Sequence, residues 1–405
     1  MQPLRRRIAP LSRDLPRCLS RSSPLHAVSS TSASGSHVRT FSATHFPPGP
    51  VLIPLTSRKL ISVSGPEAAK FLQGVVTANL LCSPAKDAPP RIDVPGHYAA
   101  FLTAQGRILH DVFIYLDQFA STPPGESFLI ECDADEAANL AKHIKRYKLR
   151  AKFNVRLLDD PSEVSIWQAL GAASSASAAS PSASVINALL MQDSRAPGMG
   201  DRILLSSEGS ALRSGELEEK TEYTLHRYLH GVPEGQKEIL RDTALPHETN
   251  LDVMGAIDFR KGCYVGQELT IRTEHRGVVR KRVLPVMLYG SESAAPERLE
   301  VSSEDNNAEK VAPGTSIGRV GKKGRSAGKW LAGMGNVGLA ICRLETMTDL
   351  VLPGESSTGG GGFTAGDEFE VATVGEGSEG EGEKTKMKAF VPDWLREKLS
   401  QKGQH

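Results

Sequence analysis

No two cysteines of this chain stand in a C-x-x-C pair. The five that occur among 405 residues, Cys18, Cys82, Cys132, Cys263 and Cys342, are scattered. An odd, unpatterned set argues against a disulfide framework and against a self-contained zinc site. No apolar run approaches the roughly 20 residues that a membrane-crossing helix needs. No G-x-G-x-x-G sits between a strand and a helix pattern, so the dinucleotide-binding fingerprint is missing. The net charge is only +1, which removes a global electrostatic case for nucleic acid.

Acids are also nearly missing from residues 1–57, where Asp14 stands alone against Arg5, Arg6, Arg7, Arg13, Arg17, Arg21 and Arg39, with no lysine. Serine and threonine fill the spaces. An Arg-rich, Ser-rich, acid-poor start reads as a mitochondrial transit peptide over residues 1–41. Arg39-Thr40-Phe41-Ser42 has the arginine three positions before a cut, which puts the mature end near Ser42.

What is present is a mixed pattern. Residues 51–63 read as one strand. Ser64-Gly65-Pro66-Glu67 reads as a turn into a helix, with Ser64 as cap and Ala68, Phe71, Leu72 and Val75 on its buried face. Residues 97–102 and 107–116 read as a hairpin about Ala104-Gln105-Gly106. Residues 128–132 read as a strand, 135–148 as a helix with acids first and bases last, and the stretch after Tyr223 as a helix stopped by Gly-Val-Pro-Glu-Gly. This alternation predicts an α+β fold rather than a doubly wound one. Residues 50–282 form the main region. Residues 283–388 form a separate β-rich unit with strands at 283–288, 338–343 and 368–374, and 389–405 a terminal helix and tail. Segments 171–184, 291–310 and 353–386 lack apolar periodicity and are expected to be surface loops.

The densest polar stretch is 245–282. At its centre stands Lys261-Gly262-Cys263-Tyr264-Val265-Gly266-Gln267-Glu268. Two glycines so close together fit a sharp turn or a close approach better than a helix or strand interior. A free cysteine is ordinarily a small buried hydrophobe, which suits Cys132 and Cys342 in their strand patterns. Cys82 leans the same way. Cys263, between glycine and tyrosine and two residues from a lysine, suits a reactive thiol. It has His247 and His275 near it in sequence if it is a nucleophile. An iron–sulfur cluster needs about four ligands, so one such cysteine holds a cluster only with ligands from a partner or a small thiol. The cations Arg272, Arg276, Arg280, Lys281 and Arg282 suit either a polyanionic ligand or a solvated face.

The octapeptide resembles the KGCYxGQE motif of the mitochondrial iron–sulfur assembly factors related to the glycine-cleavage T protein. The resemblance extends to Phe71-Leu72-Gln73-Gly74 with Thr77-Ala78-Asn79, to the hairpin at 100–107, to the turn from Asp193 through Arg195 to Arg202, and to the block from Tyr228 to Gly235. It continues through Leu245-Pro246-His247-Glu248 to the exit at Arg282. It implies an aminomethyltransferase-like α+β body with a central folate-type cavity, followed by a C-terminal β-barrel domain. It also implies a factor of the mitochondrial matrix acting late in [4Fe–4S] maturation with A-type scaffold proteins, for clients such as aconitase and lipoyl synthase. Carried over by position, the candidate ligand-binding residues are Lys261, Gly262, Cys263, Tyr264, Gly266, Gln267, Glu268, Arg195 and Arg272. Cys263 is the metal ligand, in a transient [2Fe–2S] cluster shared with the partner. Where the T protein has its catalytic aspartate, this chain has His110 beside Asp111, which implies that it is not that enzyme. The alternative is a folate-dependent one-carbon transferase that binds tetrahydrofolate.

Overall fold

The computed structural model describes residues 51–81, 95–123, 125–171, 187–206, 219–302, 307–322, 324–351, 362–373 and 383–402. Expectations for the transit peptide, Cys18, Cys82 and nearly all of 171–184 lie outside these residues.

The first expected strand is two. β1 (Val51–Pro54) and β2 (Arg58–Ser64) are separated by a turn and join different sheets. β2 is an interior strand in the order β3-β4-β5-β2-β6, with β3 (Gly96–Leu102), β4 (Ile108–Leu116), β5 (Ser127–Asp133) and β6 (Asn154–Leu158). β1 is the edge of the order β1-β7-β9-β8, with β7 (Val164–Leu170), β8 (Ala188–Gln192) and β9 (Asp201–Ser206). β2 is buried on both faces: Leu60 faces the core shared by the two sheets, and Ile61 and Val63 face the opposite side. That opposite side is covered by α1 (Ala68–Val75) and α2 (Ala137–Lys148). Ser64 does not cap α1. It is still paired in β2, to Ser127 and Asn154, and Glu67 takes the N-cap position without capping the helix through its side chain, which accepts from Lys152 N at 2.6 Å instead. The hairpin of β3 and β4 forms as expected. α3 (Glu219–His230) ends before the glycine-rich stop.

The C-terminal unit is a closed barrel in the order β10-β13-β12-β11-β14-β15. Its strands are β10 (Lys281–Tyr289), β11 (Ser316–Arg319), β12 (Gly328–Met334), β13 (Val337–Arg343), β14 (Phe369–Ala372) and β15 (Lys384–Ala389). Trp330 is fully buried inside it. The described residues of segment 291–310 are more than a surface loop. Leu299 and Ala308 are buried, and Asn336 fixes the segment by accepting from Ser302 N at 2.8 Å and donating to Glu300 O at 3.1 Å. Two apolar anchors in a polar run are enough to hold it, which periodicity could not reveal. A short helix (Leu344–Met347), α5, follows β13, and a further helix, α6 (Asp393–Lys402), follows β15.

The sheet–sheet core contains a buried charge network. Arg195 donates to Asp193 through Nε and Nη2, to Glu234 through Nη1 at 2.7 Å and to the Tyr223 hydroxyl at 2.9 Å. Arg202 donates to Glu234 at 2.6 Å, and Arg58 to Glu131 at 2.9 Å. Glu234 is held well below the usual carboxylate range against the cost of its burial, by Arg202 and Arg195 first. Such ions tolerate burial only because each meets a counter-charge.

Candidate functional site

The motif segment is fixed by α1 and by the turn of the first hairpin. Thr77, just past α1, donates from Oγ1 to Ala256 O at 2.6 Å and accepts from Ala100 N at 2.8 Å. Its carbonyl accepts from Asp258 N at 3.0 Å. Asp258 then turns the chain, with Oδ1 accepting from Arg260 N at 2.7 Å and Lys261 N at 3.1 Å. The last carbonyls of a helix lack intrahelical partners and favour a cation, and α1 has no basic residue in its last turn. Lys261 supplies one. Its Nζ donates to Gln73 O at 2.8 Å, Val76 O at 2.7 Å and Ala78 O at 2.7 Å. Three donors thus meet three acceptors. Burial pushes this ammonium down to about 8, and the carbonyls favour its charged form.

Beyond Lys261 the chain is pinned again. Val265 N donates to Gly74 O at 3.1 Å, and Gln267 Oε1 accepts from Tyr264 N at 3.2 Å. Tyr264 is buried. Gly266 has φ 81°, and a Cβ there would collide with Thr103 O and approach Leu102 Cβ to 2.8 Å. Only glycine fits. From this residue springs α4 (Gln267–Arg276), a helix the sequence reading did not anticipate, with Glu268 in its first turn. Gly262 and Cys263 are exposed, and a Cβ at Gly262 would meet nothing within 4 Å. Cys263 is therefore presented outward between two clamps. Cys132 and Cys342 are buried, and burial pushes both thiols well up. No histidine hydrogen-bonds Cys263 among the described residues. His247 instead donates Nε2 to Glu274 at 3.2 Å.

The expected site residues do not all converge. Lys261, Gly262, Cys263, Tyr264, Gly266, Gln267 and Glu268 form one unit. Arg195 lies in the charge network, with each guanidinium nitrogen bonded within the protein, and so is not offered to a ligand. Arg272 lies on the outer face of α4, in a groove with Gln267, Glu268, Ile271, His275 and Arg276. The cations do not form one patch. Arg282 is buried and bidentate on Asp252 at 2.9 Å, while Arg280 and Lys281 line a cavity of about 290 Å³ where α4 meets the barrel. His110 is fully buried with both ring nitrogens unpartnered, and burial pushes it to about 4, so it is neutral at pH 7. Asp111 accepts from Arg58, Gly235 N and Gln236. Among the described residues one group, His247, Asp252 and Glu274, has ligand atoms close enough for a metal. It already receives Arg282 and the ammonium of Lys402. Lys402 was invisible to sequence reasoning, having no motif around it. Thr77 and Gln73 were visible only as part of the resemblance.

Comparisons with known proteins bear on the family and the fold. Residues 280–397 match the family profile "CAF17, C-terminal beta-barrel domain". The chain is 57% identical to the protein named "Iron-sulfur cluster assembly factor IBA57 homolog, mitochondrial" of Chaetomium globosum, over 87% of this chain and 84% of that one. It is 54% identical to the protein of the same name in Pyricularia oryzae, over 85% of each. Among solved structures it resembles the glycine cleavage system aminomethyltransferase T of Bartonella henselae, with a TM-score of 0.56 and 14% identity, over 85% of this chain and 86% of that one. At that identity the likeness speaks for the fold alone. The body is thus aminomethyltransferase-like and the C-terminal unit a β-barrel, and with relatives this similar over most of its length the chain belongs to the IBA57 family of mitochondrial iron–sulfur cluster assembly factors.

Proposed function

We propose that this chain is a non-enzymatic factor of the mitochondrial matrix that acts late in [4Fe–4S] maturation. Its Cys263 thiolate serves as one ligand of a [2Fe–2S] cluster shared with an A-type scaffold protein, for clients such as aconitase and lipoyl synthase. The observation that carries this reading is the presentation of Cys263: an exposed thiol on a segment clamped on both sides, with open space at Gly262. One thiolate cannot complete a cluster, and an outward thiol is placed for ligands from another molecule. The cluster is cargo, and the partner supplies its remaining ligands.

The folate-dependent transferase reading rests on the fold, which does not by itself carry a function. The residues do not fit it well. Arg195 is committed internally, and His110 is buried without access to a substrate. No catalytic step is assigned to these groups.

The test is Cys263→Ser. The variant should fold with an unchanged urea midpoint, fail to form a coloured complex on anaerobic mixing with a [2Fe–2S]-loaded A-type scaffold, and fail to restore aconitase activity and lipoylation in cells lacking the native protein. Full rescue by Cys263→Ser would reject the ligand role. Turnover of an aminomethyl donor by the purified protein would favour the transferase.

A further inference from the structure

The ammonium of Lys402 lies at the end of the terminal helix α6 (Asp393–Lys402), more than a hundred residues from the motif in sequence. It donates to Asp252 Oδ2 at 2.9 Å and to both oxygens of Glu274 at 2.8 Å. It also sits 5.3 Å from the centre of the Phe259 ring. Asp252 and Phe259 precede Cys263 in the chain, and Glu274 follows it on α4. One cation therefore joins the two arms of the segment that carries the exposed Cys263 between them. The carboxylates are fixed from behind, Asp252 by Arg282 and Glu274 by His247. The helix that carries Lys402 is anchored independently. Leu395 is fully buried in the barrel core, and Trp394 Nε1 donates to His230 O at 3.0 Å.

We infer that α6 is a strap from the barrel to the thiol-bearing segment, and that Lys402 is a positioning residue whose ammonium holds the two arms together and so fixes how Cys263 is presented. The helix places the ammonium, the carboxylates receive it, and the segment between them loses freedom. With Lys261 holding the segment to α1, Cys263 is gripped from the body and from the barrel. For cluster sharing this inference rests on the ligand role proposed above; for the motion of the segment it does not.

The test uses the full chain with Cys18 and Cys82 replaced by serine, so that Cys263 is the exposed thiol among Cys132, Cys263 and Cys342. Lys402→Met removes the charge and keeps the length of the side chain, and Lys402→Arg restores the charge. In Lys402→Met, amide hydrogen exchange over residues 258–276 should rise roughly tenfold while that of β10 to β15 is unchanged. Iodoacetamide labelling of Cys263 should change rate, and Lys402→Arg should recover much of both. With a [2Fe–2S]-loaded scaffold, Lys402→Met should shorten the lifetime of the shared cluster. Unchanged exchange over 258–276, or an equal rise throughout the barrel, would overturn the inference. The expected rise in exchange over 258–276 together with cluster sharing that does not depend on Cys263 would reject the ligand role and leave the strap standing.

Discussion

At the scale of single residues, the two glycines of the motif have opposite jobs. The backbone of Gly266 is left-handed and pressed against Thr103 and Leu102, so its glycine is demanded from inside the molecule. Among the described residues nothing demands the glycine at 262. Gly266→Ala should therefore cost about 1–3 kcal/mol, read as a lowered urea midpoint. Gly262→Ala should leave the midpoint within about 0.5 kcal/mol and, on the proposed ligand role, still weaken cluster sharing, because the added methyl would take up open space beside Cys263. If Gly262→Ala shares a cluster as well as the parent, that role for the position is wrong. The sequence marked both positions as special and could not separate them, since spacing does not say which neighbour presses on a backbone. Lys261 was likewise marked as a cation beside a thiol, but its charge is turned onto carbonyls.

At the scale of elements, α1 and the motif complete one another. The helix ends without a basic residue of its own, and Lys261 closes it from a distant part of the chain. Lys261→Met should leave those carbonyls unpaired at a cost of about 1–3 kcal/mol. The pH dependence has a definite sign. The folded pKa of about 8 lies below an unfolded value of about 10.4, so between these the unfolded chain binds more protons. The contribution of this residue to stability then rises with pH. The difference between parent and Lys261→Met, measured by urea unfolding, should move in favour of the parent from pH 8 to pH 10; a flat difference would contradict the placement.

The hairpin of β3 and β4, the helix α2 and the cores around Cys132 and Cys342 were legible because their periodicity is local. Other features were not, β6 to β9 among them. β1 and β2 read as one strand because the short turn between them carries buried Leu55 and little punctuation. α4 was masked by a high density of polar side chains, and its exposed outer face gives only a weak apolar stripe. The strands β11, β12 and β15 are set by barrel closure, a condition no single segment announces.

At the scale of the whole molecule, the body is held by charge as well as by apolar packing. Glu234 accepts from Arg195, Arg202 and Tyr223 at once. Glu234→Gln keeps the shape and removes the compensation, so it should destabilise by about 3–5 kcal/mol. The loss, measured by urea unfolding, should depend little on salt because the network is shielded from solvent. A loss under about 1 kcal/mol would mean that the neighbouring acids suffice.

The order in which the chain becomes available gives the strap a further consequence. A chain delivered N-terminus first presents β1 long before β7, its partner in the sheet, and the barrel cannot close until β15 pairs with β10. Lys402 arrives after both. The thiol at Cys263 is therefore brought under full control only when the last turn of the last helix is in place. A chain lacking α6 would carry every part of the motif and still leave the two arms of the Cys263 segment without the ammonium that joins them.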